Sequence, residues 1–259
     1  VYRNSAEVVN RGIDLTLSGT LIDRAVTWDA TLQFSYNKNK VTDLNYTPTI
    51  NAVFQGSPLT GQPVGYIAVN RYGGLDEYGD PTFLYEDGGE PQSYLDLDML
   101  TIDDLKFVGR TEPPVFGSLT SSLRWRDFTL SLMVNYKFGH KMRLPSPIPM
   151  MFGLKTEWYS EQYRWVEGQD NSDKWVPKHS TALFQDINRT NCLIRSDKLI
   201  DNADMIQLKS ISLEYDFSRL LNKIKIRGGT LRVSGENLGY WVANDWKLNP
   251  DQVSYTAYD

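Results

Sequence analysis

Several stretches of this chain alternate apolar and polar side chains with a period of two, and they do so for longer than an ordinary strand of about 5–6 residues requires. The clearest sets Trp28, Ala30, Leu32, Phe34 and Tyr36 on one face and Thr27, Asp29, Thr31, Gln33, Ser35 and Asn37 on the other. Before it, Ile13, Leu15, Leu17 and Leu21 oppose Asp14, Thr16, Ser18 and Thr20. A helix cannot use a period of two, so these are strands. Each has one oily face and one face of small polar or charged groups, which is how the wall of a membrane-spanning β-barrel reads, with lipid outside and water inside.

The chain is mildly acidic, with a formal net charge of -5, and has no basic stripe of the kind that marks a nucleic-acid partner. No apolar run approaches a transmembrane helix, which leaves a barrel open because a barrel strand needs only about 9–11 residues, half of them polar. The single cysteine, Cys192, excludes an internal disulfide. Val1-Tyr2-Arg3-Asn4 does not read as a signal peptide, and Tyr258-Asp259 does not read as the aromatic end of a last barrel strand. The expectation is an interior-to-late piece of something larger.

Six strands are expected, at about 8–21, 25–41, 115–126, 127–139, 204–218 and 224–238. Ile22-Asp23-Arg24 and Arg126-Asp127 make short turns, and the pair Gly228-Gly229 predicts a bulge or bend in the sixth strand. Long loops at about 42–114 and 139–202 separate the hairpins. Tight turns at one rim and long excursions at the other are the wiring of an outer-membrane barrel. Trp125, Phe128, Tyr136, Phe138, Tyr215 and Phe217 fall near strand ends, where aromatic rings favour the headgroup zone. The fold class expected is therefore all-β, a transmembrane antiparallel β-barrel segment. A soluble β-sandwich, in which the same residues would pad a core between two sheets, is the alternative.

Few residues signal chemistry. Asp76, Glu77, Asp80, Glu86, Asp87, Glu90, Asp96, Asp98, Asp103 and Asp104 crowd the first long loop, yet their spacing does not match a calcium-binding loop, and no metal site is assigned. His140 and His179 lack further ligands at zinc spacing. No serine sits in a nucleophile elbow, so neither enzyme nor cofactor is expected. The second long loop carries Trp158, Tyr159, Tyr163, Trp165 and Trp175 among charged neighbours, with a short amphipathic helix expected over 158–166. Aromatic faces stack on sugars or peptide side chains, so these five, with Tyr72 and Tyr78 of the first loop, are the candidate substrate contacts. Asp14, Asp29, Arg124, Lys137, Glu214 and Arg232 fall on the polar faces and would line a wet lumen, as would Lys209 and Asp216.

The order of several short motifs resembles the C-terminal part of SusC/RagA-type TonB-dependent transporters, the large outer-membrane importers of Bacteroidetes. Asn10-Arg11-Gly12-Ile13-Asp14-Leu15 is similar to that family's N-x-G-[IV]-[DE]-L strand. Gly61-Gln62-Pro63-Val64-Gly65-Tyr66, followed by Tyr72-Gly73-Gly74-Leu75-Asp76-Glu77-Tyr78-Gly79-Asp80-Pro81, resembles its G-x-P-x-G loop and the Y-x-G-[LI]-D-x-x-G-x-P segment after it. Val108 to Gly117, Tyr136-Lys137-Phe138-Gly139, Gln207 to Tyr215 and Leu231 to Leu238 continue the likeness over nearly the whole chain.

The resemblance implies a barrel of about 22 strands whose plug and final strand lie outside this chain. It implies an outer-membrane importer of glycans, or second of oligopeptides. Its partners would be a SusD-like surface lipoprotein as lid, TonB reached through a missing N-terminal region, the remaining strands and plug of the same transporter, and outer-membrane lipid. A siderophore or cobalamin receptor of the same architecture, and a soluble carbohydrate-binding or adhesion module, are the other functional readings.

Overall fold

The computed structural model describes residues 6–148, 158–179, 186–221 and 228–253. Among them the strands are, in chain order, β1 (Ala6–Asp23), β2 (Val26–Leu44), β3 (Tyr66–Val69), β4 (Arg71–Leu75), β5 (Pro81–Leu84), β6 (Gln92–Ser93), β7 (Lys106–Arg110), β8 (Val115–Trp125), β9 (Phe128–Phe138), β10 (Lys141–Arg143), β11 (Ile200–Asn202), β12 (Met205–Asp216) and β13 (Thr230–Val242). Two short helices, α1 (Ile50–Phe54) and α2 (Ile187–Ile194), lie in the long connections.

One antiparallel sheet of six strands, in the order β1-β2-β8-β9-β12-β13, forms the wall. Its strands run 11 to 19 residues, as a bilayer crossing by a tilted strand requires. Register makes the alternation of single strands coherent across the sheet. Ile22, Trp28, Leu123, Leu130, Leu213 and Val233 pair in succession and form one apolar row over all six strands. The adjacent row, Thr20, Asp29, Ser122, Ser131, Ser212 and Ser234, is polar throughout and projects from the opposite face.

No second sheet covers the apolar face among the described residues. Leu17 remains 55% exposed, Leu213 48% and Val233 67%. Trp28, Leu32, Leu130 and Leu213 stand side by side in one sheet instead of meeting across two, so a β-sandwich core is not what these residues build. The wall has no buried core of its own. Its deeply buried apolar side chains, Val41, Met205 and Val242, sit at the strand ends nearest the long loops.

Local geometry explains the rims. At the turn rim, Arg126 adopts φ 54° in the two-residue β8–β9 hairpin, a left-handed conformation that such turns require, and its guanidinium lies 5.1 Å from the centre of the Trp125 ring. Trp125 stacks at 6.5 Å on Phe128, which meets Tyr215 at 4.7 Å. At the loop rim, Tyr136 stacks at 5.6 Å on Phe138. The Tyr136 hydroxyl donates to the Gln33 carbonyl at 2.8 Å, laying the ring over Gly117.

The strand ends differ from the sequence expectation by up to six residues. β13 begins at Thr230, after Gly228 and Gly229, and residues 222–227, which include the start of the expected sixth strand, lie outside the described ones. Gly229 is required for close approach, since a Cβ there would stand 2.5 Å from the Phe217 ring. Among the described residues one bulge lies in β12, whose pairing slips at Lys209, and Asn237 in β13 takes φ 52° and accepts from Lys209 Nζ at 2.7 Å.

Gly117→Val should lower wall stability by about 1–3 kcal/mol, because a side chain there drives into the Gln33 carbonyl and the Tyr136 hydroxyl. Urea unfolding of the protein, read by tryptophan fluorescence, measures the loss; an unchanged midpoint would contradict the packing described.

Candidate functional site

The long connections, residues 45–114 and 139–204, carry the hydrophobic interior that the wall lacks. They hold the β3–β7 pair, the β4–β5–β6 sheet, the β10–β11 pair, α1 and α2. Thr49 caps α1 by accepting from the Ala52 N–H, and Asp186 caps α2 by accepting from Asn188 N–H at 2.7 Å. One cluster gathers Met142, Leu144, Ile148, Trp175, Val176, Leu193, Leu199 and Ala203; two smaller ones form around Val53 and Phe83.

The two connections are fastened to each other. Asn70 exchanges backbone hydrogen bonds with Arg195 and Asp197, and its side-chain amide donates to the Cys192 carbonyl at 2.9 Å. Asp80 accepts from Arg189 Nε at 2.6 Å in a largely buried ion pair. Lys106 meets Asp197 at 3.1 Å. The chain after β13 joins the same body: Trp246, Leu248 and Val253 pack on the large cluster, and Asp251 pairs with Lys137 at 2.7 Å. The excursions therefore form one packed module above the wall.

This packing places the candidate aromatic residues unevenly. Trp175 is buried, Tyr163 stacks beside it at 5.8 Å and meets Trp246 edge-on, and the Tyr72 hydroxyl donates to the Trp175 carbonyl at 2.7 Å. These three are committed to the module's interior, where they have little open surface for a substrate; burial also pushes the Tyr72 phenol pKa up. Trp165 is half-buried over Gly79, whose φ of 76° and missing Cβ let the indole lie against the backbone. Tyr78 is 63% exposed. Trp158 and Tyr159 belong to a 3-10 turn at Trp158–Tyr163, shorter than the helix expected; their side chains lie outside the described residues.

The six charged candidates lie together on the polar face of the wall. Arg124 reaches Asp29 at 3.7 Å and Arg232 reaches Glu214 at 2.7 Å, each across a strand pair. Lys137 is taken up by Asp251, and Asp14 pairs in register with Ser35 on the same face. Lys209 is drawn into the bulge by Asn237.

Several loop carboxylates have structural partners. Asp76 accepts from the Tyr78 and Asp80 N–H groups, which holds the tight turn at Gly79. Asp104 accepts from Thr101 through both N–H and hydroxyl, and these bonds hold its carboxyl below the usual range against the opposing effect of burial. Among the described residues no three acidic, histidine or cysteine side chains gather closely enough to hold a metal ion. Cys192 is fully buried and its thiol pKa is pushed up to about 12.

His140 follows β9 and is 3% exposed, its Nδ1 without a hydrogen-bond partner. Burial lowers its pKa, and Lys137 and Arg110 act in the same direction against Asp204 and Asp251. Two arginines have roles the sequence did not assign: Arg164 reads there only as a charged neighbour of the aromatic run, and Arg143 is not singled out. Arg164 is buried and holds Glu161, the Pro147 carbonyl and the Pro177 carbonyl together. Arg143 ends β10 beside a cleft. The only signal for it was a cation in the run Met142-Arg143-Leu144, which by itself does not distinguish a buried guanidinium from an exposed one.

No protein-family model matches the chain. A TonB-dependent receptor, P3, of Formosa agariphila is 21% identical over 255 residues, covering 91% of this chain and 24% of the relative. The solved RagAB peptide transporter superposes with a TM-score of 0.70 at 20% identity, over 96% of this chain and 27% of that one. The RagAB peptide importer in its open-open state gives 0.67 at 21% identity, and in its closed-closed state 0.67 at 22%. The likeness is one of fold: over 96% of its length this chain follows part of the RagAB transporter structure. It spans about a quarter of the length of these proteins.

Two outcomes test the module. Arg189→Met should leave Asp80 with only its longer contact to Lys178 at 3.6 Å and loosen the loops by about 1–3 kcal/mol, read as faster protease cleavage of the connections with the wall intact. His140 is the pH-sensitive point. Its folded pKa lies below the unfolded value of about 6.5, so the unfolded chain takes up the proton first. The His140 contribution is therefore full above that value and is lost as pH falls below it, and His140→Gln should flatten the melting-temperature profile between about pH 7 and pH 5.

Proposed function

We propose that this chain is part of the wall and external loops of an outer-membrane, TonB-dependent importer. The observation that carries the reading is the single sheet whose six strands align an uncovered apolar face against a face of hydroxyls and paired charges. Such a sheet suits hydrocarbon on one side and water on the other, with each interior strand hydrogen-bonded to a neighbour on both sides. The loop module at one rim would stand outside the cell, where cargo arrives. The similarity to a TonB-dependent receptor and to RagAB supports transport as the activity, with no catalytic step assigned to these residues.

In this reading the polar face lines the lumen and packs against a plug supplied by the rest of the protein. TonB delivers energy through that other region, and a SusD-like lipoprotein closes over the loops. The cargo is an oligopeptide or a glycan; the RagAB structures, named as peptide transporters, favour the peptide.

Placing arginine on each face of β9 tests the orientation. Leu132→Arg, near the middle of β9, should cost about 2–4 kcal/mol of folding stability in lipid, and Ser131→Arg, the neighbouring residue on the polar face, distinctly less. Folding of the parent transporter into vesicles under a urea series measures both. Equal costs, or a larger one at Ser131, would remove the membrane assignment.

A further inference from the structure

The cleft beside Arg143 has features that neither the wall nor the packing of the module explains. It lies where α1, β3 and the segment entering β8 come together, just beyond the loop rim of the wall, and encloses about 460 Å³. Phe54, Val64, Ile67 and Ala68 supply apolar walls, and Thr111 contributes a polar edge. Arg143 is the one ionised side chain lining it among the described residues.

That guanidinium is poorly compensated. It has five N–H donors, and one of its terminal nitrogens donates to the Ile194 carbonyl. Among the described residues no carboxylate lies within 4.0 Å of it, whereas Arg189 and Arg164, the other buried arginines of the module that carry ion pairs, each have one. A second cation stands close: Arg195 lies 4.9 Å from the centre of the Phe54 ring, the same ring that walls the cleft. Burial and the Arg195 charge pull the Arg143 pKa down to about 10, the direction expected where positive charge is in excess. A partly buried guanidinium without an anion is costly, and a planar fork beside an apolar wall matches a carboxylate attached to a nonpolar group.

We infer that this cleft binds a carboxylate of the imported cargo, with Arg143 as its anchor and the Phe54–Val64–Ile67 wall accepting the group that bears it. The inference rests on the importer reading and adds a substrate chemistry to it. The same chemistry has two natural sources, the free end of a peptide and the acid group of a uronic sugar.

The experiment uses the full-length parent transporter in detergent and four small probes, N-acetyl-leucine, N-acetyl-leucinamide, glucuronate and glucose, with affinities from ligand-observed NMR titration. The acid of at least one pair should bind roughly tenfold or more tightly than its neutral counterpart, and Arg143→Met should abolish the preference. A preference in the leucine pair alone assigns the cleft to peptide ends, one in the sugar pair alone to acidic glycans, and one in both to carboxylates generally. Equal binding within both pairs overturns the inference, as does a preference that survives Arg143→Met. Should that variant not fold, a cryo-EM map of the unaltered protein with the preferred probe decides: density against Arg143 supports the site and density elsewhere refutes it. Import is read separately, by cargo uptake in cells lacking the parent gene. Normal uptake there would refute the importer and leave the binding result standing, whereas equal binding of acid and neutral probes would refute only the cleft.

Discussion

A polypeptide can enter hydrocarbon only if its N–H and C=O groups are satisfied without water, and in this chain the antiparallel ladder pairs each strand between β1 and β13 on both sides and those two edge strands on one. Everything else follows from it. A ladder that must run the depth of a bilayer sets strand lengths well beyond those of soluble sheets. Because register is carried from strand to strand, the apolar row from Ile22 to Val233 and the polar row from Thr20 to Ser234 stay on opposite faces without a break. A slip of one residue anywhere would turn hydroxyls toward lipid, so the pairing is strongly specified.

The division of labour between wall and loops has the same origin. A wall whose oily side is left uncovered by protein contributes almost no interior of its own. The connections must fold by ordinary means and do so with buried clusters, capped helices and the Asp80–Arg189 pair. That packing draws in their aromatic residues, and Tyr72, Tyr163 and Trp175 serve the interior before they can serve a ligand. What the packing leaves open includes the cleft at Arg143, with apolar walls and one guanidinium.

Much of the wall was legible in the sequence because a period of two is a local property. Each of the six strands announces its own faces, and the turn at Arg126-Asp127 is marked by the break in alternation. The loops were not legible in the same way. β3 to β7 are short, α1 spans only Ile50–Phe54, and their apolar residues have no sustained period because each packs against a different neighbour. Gly228-Gly229 shows the same limit: Phe217 crowds the backbone at Gly229, a close approach invisible along the chain, and the bulge at Lys209 and Asn237 has no mark in the alternation.

The amino-acid order alone thus determined that long amphipathic strands exist, which side of each is oily, and that long excursions join them at one rim. Those facts depend on neighbours two residues apart. Only the tertiary structure decided that the strands share one uncovered sheet, that the two excursions interlock through Asn70 and Asp80, that three of the candidate aromatic residues are interior, and that Arg143 has no carboxylate partner among the described residues. Each of these is a relation between residues tens of positions apart, set by register and packing, and side-chain periodicity carries no record of it.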